Sequence, residues 1–266
     1  MSTHFVKFRC DSLITNGEFY ILLPDKNMPE FFTKGNPHYN RPTKTIIMLH
    51  GYSADCTEWL YSAPTFELCG KYNLAIVMPA GGLSFYLDNK ATGRKWCKFV
   101  GNDLIQYLRD TFGLAMRKED TYIGGESMGG FGALHTGLAY PDNFNGIIAL
   151  SSALIIHKLK YMKPDGPDAV MANYDYYVDI FNDLNKAEES DANPEVLYLR
   201  NKENGITNPR IFMACGSEDF LIESNREMAK FFEENKADYK YVEGPGVHNF
   251  EFWVPRFIEG LDYFLK

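Results

Sequence analysis

The segment Gly125-Glu126-Ser127-Met128-Gly129 sets a serine between two glycines in the pattern G-x-S-x-G, after an apolar run at 121–124 and before a stretch of helical spacing. A sharp strand-to-helix turn there forces Ser127 into a strained backbone conformation, while Gly125 and Gly129 let strand and helix approach without Cβ clashes. The hydroxyl then projects from the turn as a nucleophile. At the helix N-terminus it lies beside unpaired N–H groups, and the Met128 amide is placed to donate to a developing oxyanion. Such a turn serves acyl transfer through a covalent acyl-serine. A bare G-x-S-x-G also arises by chance in glycine-containing loops, so the reading depends on whether an acid, a base and a second donor follow.

They do, each at the end of an apolar run. After the run at 210–214 comes Cys215-Gly216-Ser217-Glu218-Asp219, which puts a carboxylate where an imidazole would be oriented, with Asp219 as the acid and Glu218 as the neighbouring alternative. Of His4, His38, His50, His135, His157 and His248, only His248 follows the last apolar run, and it is the expected general base. Its competing reading is a loop residue at the start of the helix near Phe250. His135 falls on the helix after Ser127 and reads as a packing or surface residue; His157 carries no assignment. His50-Gly51-Tyr52-Ser53 follows the run at 45–49 and offers a second backbone donor, Tyr52, with Ser53 left open. His50 itself is expected to hold that loop. The aromatic residues Phe85, Tyr86 and Trp96 around a loop after the run at 74–78, with Trp59 and with Glu126 beside the nucleophile, are the candidate substrate contacts.

These groups need a scaffold that brings strand ends together. Continuous apolar runs at 45–49, 74–78, 121–124, 146–150 and 210–214, with 239–242 as the last, are what strands buried on both faces look like. Runs at 5–8 and 19–23 flank Thr15-Asn16-Gly17, a turn signal, and predict an antiparallel start to the sheet. Amphipathic stretches at 59–72, 102–112, 128–139, 224–235 and 250–265 alternate with the runs, the pattern of helices on both faces of a mostly parallel sheet. Residues 155–208 break the rhythm, with no strand and with Pro164, Pro167 and Pro194, and are expected to form a cap or insertion before the acid-bearing strand. Asp175, Asp179 and Asp183 recur there at helical spacing, which reads as a solvated face ahead of a cation site. One α/β domain over 1–266 is expected.

Composition removes several alternatives. The chain has 266 residues, 45% of them apolar, enough for a sizeable core. Its net charge of −8 argues against a nucleic-acid partner, and no apolar stretch approaches the roughly 20 residues of a membrane span. The first residues lack a basic head and apolar segment, so a cytoplasmic protein is expected. Cys10, Cys56, Cys69, Cys97 and Cys215 are scattered without a CxxC pair, which predicts reduced thiols and neither disulfides nor zinc. The chemistry needs no metal and no cofactor, only a small-molecule ester.

With these residues in view, the chain resembles the α/β-hydrolase superfamily, and more closely its esterase D-like branch of S-formylglutathione hydrolases, tributyrin esterases and family 1 carbohydrate esterases. The resemblance is carried by residues 125–134, by Leu49-His50-Gly51-Tyr52-Ser53, by Asp219, and by His248 to Trp253, which looks like the branch's His-x-x-x-x-Trp ending. It implies the α/β-hydrolase fold and a metal-independent serine carboxylesterase for short acyl esters, acetyl to butyryl, with acetylated or feruloylated sugars as further candidate substrates. A homo-oligomer is compatible with the branch. Formylglutathione hydrolases usually carry His where this chain has Glu126, which favours the tributyrin or acetyl esterase type. The alternatives are a formylglutathione-type thioesterase and a noncatalytic α/β-hydrolase binding protein.

Overall fold

The computed structural model describes every residue except Lys26 and residues 168–170. Eight strands form one sheet: β1 (Ser2–Cys10), β2 (Thr15–Leu23), β3 (Lys44–Leu49), β4 (Leu74–Pro79), β5 (Thr121–Glu126), β6 (Gly146–Leu150), β7 (Arg210–Gly216) and β8 (Tyr239–Gly244). Their order is β1-β2-β4-β3-β5-β6-β7-β8. β1 pairs with β2, and β2 with β4, antiparallel; every other pairing is parallel.

Alternation along the central strands explains why both faces are covered. In β3, Ile47 and Leu49 join the core beneath the Leu104–Phe112, Met128–Ala139 and Ile222–Glu234 helices. Ile46 and Met48 point the other way, into the core shared with Thr65–Tyr72 and Phe250–Leu265. β4, β6 and β7 divide their residues likewise, so each strand buries both its faces and reads as a continuous apolar run. Because parallel strands all end on one side, the loops after β3, β5, β7 and β8 are gathered along a single edge.

Three local expectations are corrected. Thr15-Asn16-Gly17 lies inside β2; the turn is made by Asp11–Leu13 and by Ile14 in the left-handed region at φ 62°. The stretch 59–72 divides into Glu58–Ser62 and Thr65–Tyr72 at Pro64, which has no N–H to continue a helix. Helical winding before Leu104–Phe112 begins at Trp96 and passes through one wide turn, Phe99–Asp103, where Gly101 lets the Tyr140 ring come within 2.2 Å of the place a Cβ would occupy. Between β6 and β7 the described residues carry helices Ile156–Leu159, Tyr174–Phe181 and Pro194–Glu203 and no strand; residues 168–170 of the expected insertion lie outside the description. Asp175 and Asp179 fall on the Tyr174–Phe181 helix and Asp183 beyond it, and no group of metal-ligating side chains exists among the described residues. All five cysteines are buried free thiols. No helix among the described residues is long and apolar enough to cross a membrane.

Candidate active site

The turn between β5 and the Met128–Ala139 helix holds Ser127 at φ 54° and ψ −119°, a conformation that side chains rarely adopt. Neighbouring backbone over-determines it. Ser127 N donates to Leu150 O at 2.9 Å, and Ser127 O accepts from Phe131 N at 3.0 Å and Ala153 N at 2.9 Å. A Cβ on Gly125 would lie 2.5 Å from the Gly129 carbonyl, and one on Gly129 only 2.3 Å from Leu49 O, so both positions accept glycine alone.

The edge of the sheet brings Ser127, His248 and Asp219 into one hydrogen-bonded chain. His248 Nε2 is 2.9 Å from Ser127 Oγ, and His248 Nδ1 is 2.8 Å from Asp219 Oδ2. The carboxylate accepts only, so Nδ1 carries the proton and Nε2 is left as the acceptor of the serine hydroxyl. The Asp219 side chain is fully buried, and burial would raise its pKa; His248, the Leu221 amide and Ser151 outweigh that and hold it below the usual carboxylate range. The Leu221 amide donates to Asp219 Oδ1 at 2.9 Å, which fixes the carboxylate plane. Glu218, the alternative acid, is engaged elsewhere: its Oε2 accepts the Gly246 amide at 2.6 Å and ties down the loop that carries His248. The helix after His248 is capped by Asn249, whose side chain accepts from Phe252 N, so the histidine is not the cap.

The loop after β3 is held by His50. The buried imidazole donates from Nδ1 to Gly51 O at 2.8 Å and accepts the Gly81 amide at Nε2, also at 2.8 Å. Burial lowers its pKa and keeps it neutral for both bonds. Gly51 O and the Tyr52 N–H belong to one planar trans peptide, so anchoring the carbonyl aims the amide in the opposite direction. Neither the Tyr52 nor the Met128 amide donates to a protein acceptor among the described residues. Ser53 is exposed one residue further out, at φ 61°, with its hydroxyl on Tyr52 O at 2.7 Å.

The expected substrate contacts are dispersed. Trp59 is 1% exposed, donates from Nε1 to Leu49 O at 3.1 Å and packs on Phe250 and Phe257 in the core under the sheet. Phe85 and Tyr86 are fully buried, the first against Phe131 and Phe181, the second with its hydroxyl on His50 O at 3.1 Å. These three are structural supports with no surface left for a substrate. Trp96 is half-buried on Phe99, over Gly82. Glu126 is 1% exposed and turned under the loop after β3, away from solvent. A cavity of about 630 Å³ is walled by residues such as Leu87, His135, Tyr140, Phe181 and Arg200 and by none of Ser127, Asp219 and His248.

Other residues stand where those were expected. Phe220, 57% exposed, lies 4.6 Å from the His248 ring centre, and Trp253 meets the same ring edge-on at 4.8 Å. Trp253 Nε1 donates to Ser151 Oγ at 2.9 Å and holds that hydroxyl beside Asp219, whose pKa Ser151 helps to lower. Tyr176, from the segment between β6 and β7, crosses Tyr52 edge-on at 5.7 Å and donates to Leu83 O at 3.0 Å. The His-x-x-x-x-Trp spacing signalled Trp253; nothing in the sequence marks Ser151 or Tyr176.

Known proteins agree with this architecture. A family model described as "Putative esterase" matches residues 15–264. An acetyl esterase of Caldicellulosiruptor saccharolyticus is 40% identical over 248 residues, 93% of this chain and 92% of that protein. Among solved structures, a fluorophosphonate-binding serine hydrolase of Staphylococcus aureus superposes with a TM-score of 0.84 at 21% identity, covering 100% of this chain and 98% of that one. An S-formylglutathione hydrolase from the same organism gives 0.81 at 20% identity, over the whole of both chains. At those identities the two structures establish the α/β-hydrolase fold alone, whereas the family match spans nearly the entire chain. The protein belongs to the esterase family.

Proposed function

We propose that this chain is a serine carboxylesterase that removes short acyl groups, acetyl to butyryl, from small alcohols through an acyl-enzyme. The observation that carries the reading is the hydrogen-bonded chain from Ser127 through His248 to Asp219, with the serine in its strained turn. Ser127 Oγ attacks the ester carbonyl as its proton passes to His248 Nε2, and Asp219 stabilises the imidazolium that forms. The tetrahedral oxyanion takes hydrogen bonds from the amides of Met128 and Tyr52. His248 then returns the proton to the leaving alcohol, and a water activated by the same nitrogen releases the acid. Every group needed is a side chain or amide of the protein.

Two observations support a short acyl group. The acetyl esterase relative is 40% identical over nearly its full length. Tyr176 packs edge-on against the ring of Tyr52, which sets a second aromatic side chain next to the residue whose amide is assigned to the oxyanion. The test is turnover of p-nitrophenyl esters from acetate to decanoate, with S-formylglutathione and an acetylated xylo-oligosaccharide in the same panel. Serine-dependent rates that fall beyond butyrate are expected; rates that peak at octanoate or decanoate, or on the thioester alone, overturn the assignment.

A further inference from the structure

Gly51 lies between two carboxyl groups. Its amide donates to Glu58 Oε2 at 2.8 Å and also faces the Glu126 carboxyl. A Cβ on Gly51 would sit 2.6 Å from Glu126 Oε2 and 3.0 Å from Oε1, so the Glu126 side chain runs directly against that backbone. Glu126 Oε1 has no hydrogen-bond partner, and the two carboxyl groups meet at Gly51, Glu58 Oε2 on its N–H and Glu126 Oε2 against its Cα. Two carboxyl groups set against one peptide, one of them wholly buried, ionise together only at a high cost, and the wholly buried member is the one that keeps the proton. An unpartnered Oε1 fits the carbonyl oxygen of a neutral acid, whose burial costs far less than that of a charge. Burial first, and then Glu58, pushes the Glu126 pKa well above the ordinary value.

From this geometry we propose that Glu126, immediately before the nucleophile, and Glu58 share one proton and act as a positioning pair for the oxyanion loop. Glu126 donates to Glu58, Glu58 accepts the Gly51 amide, and His50 holds the Gly51 carbonyl from the other side. The residue is thereby clamped at both its N–H and its C=O, which fixes the direction of the Tyr52 amide. The other titratable groups around the pair are Tyr86 from the loop after β4, His50 at the end of β3, and Asp55 and Cys56 ahead of Glu58. None supplies a cation, so charge on Glu126 would be uncompensated, would repel Glu58 and would release the loop. Glu126 and Glu58 are positioning residues, and the inference rests on the esterase reading above.

The test combines a spectrum with a rescue. Infrared difference spectra of wild type against Glu126→Gln at pH 8 should show the carbonyl stretch of one protonated carboxylic acid, present only in wild type. Glu126→Ala, which removes the donor, should lower kcat on the order of 10- to 100-fold and leave KM within about twofold, the pattern of a lost transition-state interaction. Glu126→Gln, whose amide still donates to Glu58, should recover kcat to within about threefold of wild type. Absence of the acid band, or equal kcat for the Ala and Gln variants, overturns the proposal. Should Glu126→Ala not fold, the spectrum and the Gln variant still decide it. Fluorophosphonate labelling of wild-type Ser127 separates the two readings: a protein with the acid band but no label retains the pair and loses the esterase assignment.

Discussion

Replacing Asp219 by Asn should disable the site through a tautomer, without removing a contact. Asp219 Oδ1 accepts the Leu221 amide at 2.9 Å and Oδ2 faces His248 Nδ1 at 2.8 Å. In the Asn variant the Leu221 amide still needs an acceptor, so the amide oxygen stays on that side and the NH2 turns to His248. An NH2 can only donate, so Nδ1 becomes the acceptor and the proton moves to Nε2, where the Ser127 hydroxyl can no longer be deprotonated. The same exchange in a well-studied serine hydrolase lowers kcat by about 10⁴. That corresponds to about 5.4 kcal/mol of transition-state stabilisation at 1.36 kcal/mol per decade. The fold should persist, because the Leu221 bond and the side-chain volume are retained. The assay is kcat and KM on p-nitrophenyl acetate with ¹⁵N spectra of His248, and the expected result is a drop near four decades in kcat, little change in KM and a proton on Nε2. A kcat within tenfold of wild type, or an Nδ1-protonated ring in an inactive variant, would refute the reasoning.

Further outcomes follow from single contacts. Gly129→Ala places a methyl 2.3 Å from Leu49 O and 2.7 Å from Leu49 C, both backbone atoms that cannot turn aside; the melting temperature should fall by the equivalent of about 1–3 kcal/mol or more, with activity lost as Ser127 moves. An alanine variant that melts with wild type would show the turn to be looser than described. His157, between Glu188 at 2.9 Å and Glu195 at 3.0 Å, has its pKa raised to about 9, by Glu195 most, with burial opposing and Glu188 assisting. Its contribution is therefore complete below the unfolded value near 6.5 and lost as pH rises through about 9. His157→Gln should lower the melting temperature at pH 6 and much less at pH 10; an equal loss at both would place the effect in packing.

The site was more legible than its supports. Ser127 and Asp219 can be found from the sequence because each follows a continuous apolar run, and strands buried on both faces announce their ends; His248 follows the half-exposed edge strand β8 and is found as the one histidine after the last strand. β3, β4, β5, β6 and β7 stand out for the same burial on both faces, whereas β1 and β8, at the two edges of the sheet, are exposed or half-exposed along most of their length. Trp59, Phe85 and Tyr86 were misplaced because a large aromatic residue near a site looks the same whether it walls a pocket or fills the core. Trp59 is covered by the Phe250–Leu265 helix and Phe85 by the Tyr174–Phe181 helix, both from distant parts of the chain, and Tyr86 packs against His50 and Gly132. Ser151 and Tyr176 were missed for a related reason: each acts through a partner far away in sequence, Trp253 or Leu83, and no local spacing reports such a meeting. Glu126 looked like a substrate contact because it adjoins the nucleophile. At the end of β5 its side chain turns instead beneath Gly51, an outcome of strand register and of the helix that brings Glu58.

The central claim, that Ser127 is the nucleophile driven by His248, is tested most directly by covalent labelling. Wild type, Ser127→Ala and His248→Ala would be incubated with a fluorophosphonate and the intact masses and modified peptide recorded. The account predicts one adduct per wild-type chain, located on Ser127, none on Ser127→Ala, and labelling of His248→Ala slowed by orders of magnitude. An adduct on another residue, or an unlabelled wild-type protein, would contradict it.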